Sequence, residues 1–223
     1  MQYDVLVVGA GVVGCATAME LGKYALRAAV IEADEDVCTG TSKANSAIVH
    51  AGFDARPGSL MARFNVEGSH AMQHLCERLQ VPFRRCGALV LCFDDAGRPG
   101  LEELLSRGKK NGVHGLRIVE REELHELEPN VSPDAAAALY APTSGIVCPF
   151  ELTCAMAENA VRNGVEFVFD TRVEGVSREG GLWRLETPRG VYEAPVVVNA
   201  AGLGSAALNN MVSERKIAIT PRK

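Results

Sequence analysis

The sequence predicts an α/β fold built on a parallel sheet, with a second, α+β segment inserted into it. Three observations predict it. An apolar run, Val5-Leu6-Val7-Val8, leads into a glycine-punctuated turn, Gly9-Ala10-Gly11-Val12-Val13-Gly14, and then a helix-like stretch. A second apolar run, Ala28-Ala29-Val30-Ile31, ends in an acid, Glu32. A long excursion then separates this opening from a helix and strands that return after Pro149.

Strand, G-x-G-x-x-G turn, helix, strand and terminal acid together form the βαβ fingerprint of a Rossmann-like dinucleotide-binding unit. Gly9 permits the tight turn out of the strand, Gly11 lets a diphosphate approach the backbone, and Gly14 lets the helix pack on the sheet. The helix start, at Val12 and Val13, offers N–H groups and a partial positive charge to phosphates. Glu32 stands where a carboxylate accepts hydrogen bonds from ribose hydroxyls, and its charge disfavours a 2′-phosphate.

The remaining elements follow in order. Residues 33–57 form a polar connection. Residues 58–79 keep helical spacing through Leu60, Met61, Phe64, Met72, Leu75 and Leu79. Residues 88–93 read as a buried strand, and residues 99–111 as a helix with Leu101, Leu104 and Leu105 inward. Residues 122–128 form a short helix stopped by Pro129. Pro149 opens a helix running to Arg162, ended by Gly164. Strands are expected at 166–169, 171–176, 182–187 and 191–200, with turns at Gly180-Gly181 and Arg189-Gly190. A last apolar strand is expected from Ile217. The domain boundaries read as 1–80 and 149–210 for two parts of the nucleotide-binding domain, 81–148 for the inserted substrate or cap segment, and 211–223 for the start of a substrate domain that continues beyond this chain.

Composition narrows the function. With 47% hydrophobic residues among 223, the chain has a core. A net charge of −5 and no long basic run argue against nucleic acid as a partner. No apolar run reaches the roughly 20 residues of a membrane span, so no transmembrane segment is expected. Seven cysteines without a C-x-x-C fit reduced thiols in a cytoplasmic protein, with a peripheral membrane contact left open. The five histidines lack metal-ligand spacing, and no metal is expected.

The run Thr41-Ser42-Lys43-Ala44-Asn45-Ser46 places small hydroxyl and amide groups at a helical start, where such groups either cap a surface turn or bind phosphate oxygens. With this run the chain resembles the FAD-dependent oxidoreductases of the D-amino-acid oxidase superfamily. Within it, the chain is similar to the flavin-linked glycerol-3-phosphate and L-2-hydroxyglutarate dehydrogenases. Residues 50–63 resemble the second of these most, and Gly145-Ile146-Val147-Cys148-Pro149 and Asn199-Ala200-Ala201-Gly202 add to the match.

The resemblance implies a glutathione-reductase-type FAD-binding domain with an inserted, incomplete α+β substrate domain. It implies FAD as cofactor, with Gly9, Gly11, Val12, Val13 and Gly14 near the diphosphate and Glu32 on the adenosine ribose. Thr41, Ser42, Asn45 and Ser46 would lie along the stretch toward the flavin. Val173 would face adenine, and Ala201, Gly202 and Gly204 would return the chain to the cofactor. His50 would lie beside the flavin ring, as a substrate-side base, as a covalent attachment point or as a packing residue. The implied reaction takes a hydride from the CH–OH group of a small anionic substrate, glycerol 3-phosphate or L-2-hydroxyglutarate. The electron acceptor (oxygen, a quinone or a partner protein) is left open. The rival readings are an amine or amino-acid oxidase of the same superfamily and a non-catalytic FAD-binding subunit.

Overall fold

A computed structural model describes residues 1–221. In chain order, β1 (Val5–Val8), α1 (Val12–Leu21) and β2 (Ala28–Ile31) open the fold. The excursion carries β3 (Ile48–Val49), α2 (Leu60–Leu79), β4 (Phe83–Arg84), β5 (Ala88–Cys92), α3 (Arg98–Lys110), β6 (Arg117–Glu120), α4 (Arg121–Leu127), β7 (Ala137–Ala141) and β8 (Gly145–Val147). The chain then returns through α5 (Pro149–Arg162), β9 (Glu166–Val168), β10 (Gly175–Glu179), β11 (Leu182–Thr187), β12 (Gly190–Ala194), β13 (Val196–Asn199) and α6 (Ser205–Val212).

The chain divides into two compact units, one of Met1–Ser46 with Pro149–Lys223 and one of Ala47–Cys148. The later boundary falls where Pro149 was expected to open a helix. The earlier one falls after Ser46, whereas the sequence had assigned residues 47–80 to the nucleotide-binding part. The side chain and backbone of Ser69, on α2, explain the grouping. Its hydroxyl donates to the Thr143 carbonyl at 2.8 Å and its own carbonyl accepts from Arg85, so α2 is tied to residues 85 and 143.

In the first unit a parallel sheet runs in the order β13-β1-β2-β9. β1 and β2 are buried at all eight positions, as parallel strands covered on both faces must be. One face is covered by α1, which packs on α5; the two helices bury small residues, among them Cys15 and Ala18 on α1 and Ala157 and Ala160 on α5. On the other side, Leu6 and Ile31 share a core with Leu185 and Tyr192 of the antiparallel sheet β10-β11-β12. These two aliphatic residues of the parallel sheet are at most 1% exposed, and such burial contributes roughly 1.5–3 kcal/mol per side chain.

Two strand expectations are corrected here. The run 191–200 is not one strand, because Pro195 has no N–H for a ladder and falls between β12 and β13, which join different sheets. Residues 171–174 are not strand either; β10 begins at Gly175, and Thr171 bonds instead to Glu32 and Phe169. The terminal run from Ile217 is irregular through Pro221, and Arg222 and Lys223 lie outside the described residues.

The second unit holds two three-stranded antiparallel sheets, β3-β8-β4 and β5-β7-β6. Its core joins Leu101 of α3 to Leu139 of β7 and Cys92 of β5. Leu104 and Leu105 pack against that core, as their spacing predicted. The start of α2 departs from expectation: Leu60, Met61 and Phe64 are 67%, 67% and 56% exposed.

Candidate functional site

β1, β2 and β13 end at the same edge of the parallel sheet, and their carboxyl ends open onto a cleft of about 410 Å³. Ligands of open α/β sheets bind at such an edge. The turn after β1 forms one wall through Gly9, Gly11, Val12 and Val13. Residues 31–34 and 171–173 form a second wall, residues 39–42 a third and residues 200–204 a fourth. All belong to the first unit.

The glycines carry the shape of the turn. Gly9 has φ +103°, and a Cβ there would lie 2.6 Å from the Ala200 carbonyl oxygen. A Cβ at Gly14 would come within 1.8 Å of the Gly9 carbonyl oxygen, so a side chain at 14 pushes α1 off the turn. At Gly11 the nearest atom to such a Cβ is the Ser42 hydroxyl oxygen at 3.1 Å, and the cleft side is clear for a bound group. α1 has no acidic residue in its first turn and no side-chain bond from its N-cap Gly11, so its positive end is not neutralised from within the helix.

Two side chains from distant positions are fixed on this turn. The Glu32 carboxylate accepts from the Ala10 N–H at 2.6 Å and from the Asp34 N–H at 2.9 Å, one bond to each oxygen. Each oxygen keeps a further lone pair. The Ser42 hydroxyl accepts the Val12 N–H at 2.9 Å across thirty positions of sequence, and its own proton remains to be donated. Of the two uses the sequence left open for the 41–46 run, the plain cap of its own turn is not the one observed. Thr41–Lys43 is a single 3₁₀ turn without a side-chain cap, and its serine serves α1 instead.

Glu32, Thr41, Ser42, Val173, Ala201, Gly202 and Gly204 all line the cleft together with the turn residues. Gly14 lies beneath it, buried on α1 against the Gly9 carbonyl. Asn45 donates from Nδ2 to the Ser42 carbonyl at 2.8 Å and steadies the 3₁₀ turn. Ser46 is exposed and closes the first segment of its unit. His50 belongs to the second unit, one residue past β3, and is exposed.

Sequence reasoning passed over Asp34, Thr39 and Arg172 as cleft residues. Asp34 had a signal, standing two residues past Glu32; its carboxylate accepts the Thr39 hydroxyl at 2.8 Å. Thr39 and Arg172 stand close to the predicted Thr41 and Val173 in the sequence but were not themselves singled out. Cys15, behind the turn, is a packing group. Burial first, then the neighbouring Cys38 and Cys154, pushes its thiol up to about 12, and its Sγ donates to the Ala10 carbonyl.

The residues present fit an adenine dinucleotide. The cleft has an open glycine for a diphosphate, a helix N-terminus with no acid in its own first turn, a free hydroxyl proton at Ser42 and a positioned carboxylate for a ribose. Among the described residues, no helix is long and apolar enough to cross a membrane.

Comparison with known proteins agrees with this geometry. A family model described as DAO, FAD dependent oxidoreductase, matches residues 4–223. The chain is 46% identical over 222 residues to a glycerol 3-phosphate dehydrogenase of Caloramator mitchellensis, covering 100% of this chain and 46% of the relative. It is 31% identical to a glycerol 3-phosphate oxidase of Mycoplasma pneumoniae, covering 89% of this chain and 54% of that one. Among solved structures, the FAD-bound L-alpha-glycerophosphate oxidase of Mycoplasma pneumoniae superposes with a TM-score of 0.89 at 29% identity, over 95% of this chain and 57% of that one. The chain therefore spans about half the length of the relatives it matches.

Proposed function

We propose, from the premise that this chain belongs to the DAO family of FAD dependent oxidoreductases, that it is the cofactor-binding half of an enzyme that oxidises the CH–OH group of glycerol 3-phosphate. The observation that carries the cofactor reading is the convergence of Glu32 and Ser42 on the turn before α1, by bonds of 2.6 Å to the Ala10 N–H and 2.9 Å to the Val12 N–H. The 46% identity to a glycerol 3-phosphate dehydrogenase over the whole chain supports the substrate.

In this reading the open side of Gly11 and the N-terminus of α1 receive the diphosphate, and the Ser42 hydroxyl donates to it. Glu32 holds the adenosine ribose through its remaining lone pairs. The backbone around Val173 borders the adenine, and Ala201, Gly202 and Gly204 border the other end of the dinucleotide. Bound FAD supplies a two-electron acceptor for the substrate hydride. His50, in the second unit, is the residue we assign to take the proton of the substrate hydroxyl.

The test begins with the visible spectrum of the chain after incubation with excess FAD and desalting. Flavin bands that stay with the protein support the cofactor assignment; a folded, colourless protein from both this chain and a full-length version overturns it. Anaerobic addition of glycerol 3-phosphate to the full-length protein is then expected to bleach those bands. Relatives named L-2-hydroxyglutarate dehydrogenase, at 30% identity, make that hydroxy acid the second reading. Bleaching by L-2-hydroxyglutarate or by glycine instead of glycerol 3-phosphate overturns the substrate assignment and leaves the cofactor assignment standing.

A further inference from the structure

We infer that Arg172 holds the adenine ring of the dinucleotide and so sets the cleft's preference for FAD over FMN. This inference rests on the cofactor reading above. Among the described residues, Arg172 is the one basic residue lining the cleft, whose acidic residues are Glu32 and Asp34. It is exposed, and it forms no ion pair within 4.0 Å with either acid, whereas the preceding Asp170 pairs with Arg189 at 3.8 Å. An exposed arginine of the cleft lining that is paired with neither acid is available to a ligand.

Its position along the ligand follows from three bonds. The Thr171 N–H donates to the Glu32 main-chain carbonyl at 2.8 Å, and the Thr171 hydroxyl donates to the Phe169 carbonyl at 2.8 Å. Thr171 is 1% exposed, so the segment bearing Arg172 is bolted to the Glu32 end of the cleft. The Glu32 carboxylate in turn is held on the Ala10 N–H, with the diphosphate-binding turn on its far side. A dinucleotide whose diphosphate lies at Gly11 and whose ribose lies at Glu32 carries its purine one step further on, against residues 171–173. That puts Arg172 beside a neutral, planar heterocycle and away from the phosphates. Guanidinium planes stack on such rings, and the contact is both cation–π and apolar. FMN has no purine and gains nothing from it.

The test is equilibrium binding of FAD and of FMN to the whole chain, followed by flavin fluorescence, for the wild type, R172A and R172K. R172A is expected to weaken FAD by about 3- to 30-fold, the range of a single cation–π contact, and to leave FMN unchanged. R172K is expected to fall between, because an ammonium lacks the planar face. The R172A loss is expected to persist at high salt, since screening abolishes long-range attraction to a phosphate but not stacking. Equal FAD affinity in the wild type and R172A overturns the inference. So does an equal loss for FAD and FMN, or a loss that vanishes with salt. Failure of the wild type to bind FAD, both as this chain and as a full-length version, overturns the cofactor reading itself, which is a separate result. Matched melting temperatures of wild type and variants exclude a folding defect.

Discussion

The two units put their polar side chains to different uses. In the second, Asn111 donates from Nδ2 to the Gly52 and Ala55 carbonyls, both at 2.8 Å, and the Ser144 hydroxyl accepts the Ala51 N–H at 3.2 Å. Each bond closes a loop onto a neighbouring element, and although the Asn111 Oδ1 has no partner it is buried rather than open to a ligand. In the first, Glu32 and Ser42 also accept backbone N–H groups, yet both stand on a cleft wall with bonding capacity to spare. A polar side chain that only ties a loop is a stability element. One that ties a loop and still faces a cleft has groups left for a ligand, and mutation separates the two.

The largest effect is expected at the turn. Gly14→Val drives a side chain into the Gly9 carbonyl, and overpacking of this kind costs roughly 3 kcal/mol or more. Retained flavin should fall below detection, and thermal unfolding should show an early, broadened transition. A variant that melts and binds FAD like the wild type would remove the turn from the account.

Glu32→Ala comes next. It deletes an acceptor for two backbone N–H groups and, in the proposed cofactor reading, for the ribose, so a 10- to 100-fold loss of FAD affinity is expected, about 1.5–3 kcal/mol for charged hydrogen bonds. Titration with FAD measures it; unchanged affinity would place the ribose elsewhere.

Asn111→Ala probes the opposite side of the comparison. It leaves the Gly52 and Ala55 carbonyls without a donor and should cost about 2 kcal/mol in urea unfolding. FAD affinity of the folded protein should not change. If it fell with stability, the separation of binding from loop closure between the units would fail.

The smallest effect is expected at Tyr3→Phe, at the foot of the parallel sheet. The Tyr3 hydroxyl donates to Glu166 at 2.6 Å, and its pKa is raised to about 12, first by burial and then by that carboxylate. A group whose folded pKa lies above its unfolded value of 10.0 contributes stability that is complete below pH 10 and is lost as pH rises toward 12. Loss of the hydroxyl should cost about 1 kcal/mol near neutral pH and flatten the decline of stability between pH 10 and 12. Urea midpoints at pH 8, 10 and 11 measure both. A wild-type decline as shallow as that of the phenylalanine variant would show that Tyr3 does not titrate with folding.

Legibility in the sequence followed the range of the forces involved. Gly9, Gly11, Gly14 and Glu32 could be read because their roles depend on backbone conformation and on a strand ending at a known distance from a turn. Pro195 carried an equally local signal that divides β12 from β13, but the apolar run on either side masked it. β7 was not legible. Its sequence, Ala137-Ala138-Leu139-Tyr140-Ala141, has little intrinsic strand preference, and it becomes the central strand because β5 and β6 pair with it on both sides. The exposed start of α2 has the same lesson in reverse: helical spacing predicts a face, but burial of that face depends on what packs there.

By itself the sequence determined that a dinucleotide-type βαβ unit opens the chain, that an acid ends its second strand, and that a separate segment interrupts it before Pro149. These are consequences of local sterics and hydrophobic period, which act over a few residues. Only the tertiary structure decided that Ser42 reaches the start of α1, that Thr171 bolts Arg172 beside Glu32, and that residues 47–80 group with the inserted unit. Each depends on a hydrogen bond or packing contact between groups far apart in the chain, where no spacing rule operates and only the folded backbone brings donor and acceptor within 3 Å.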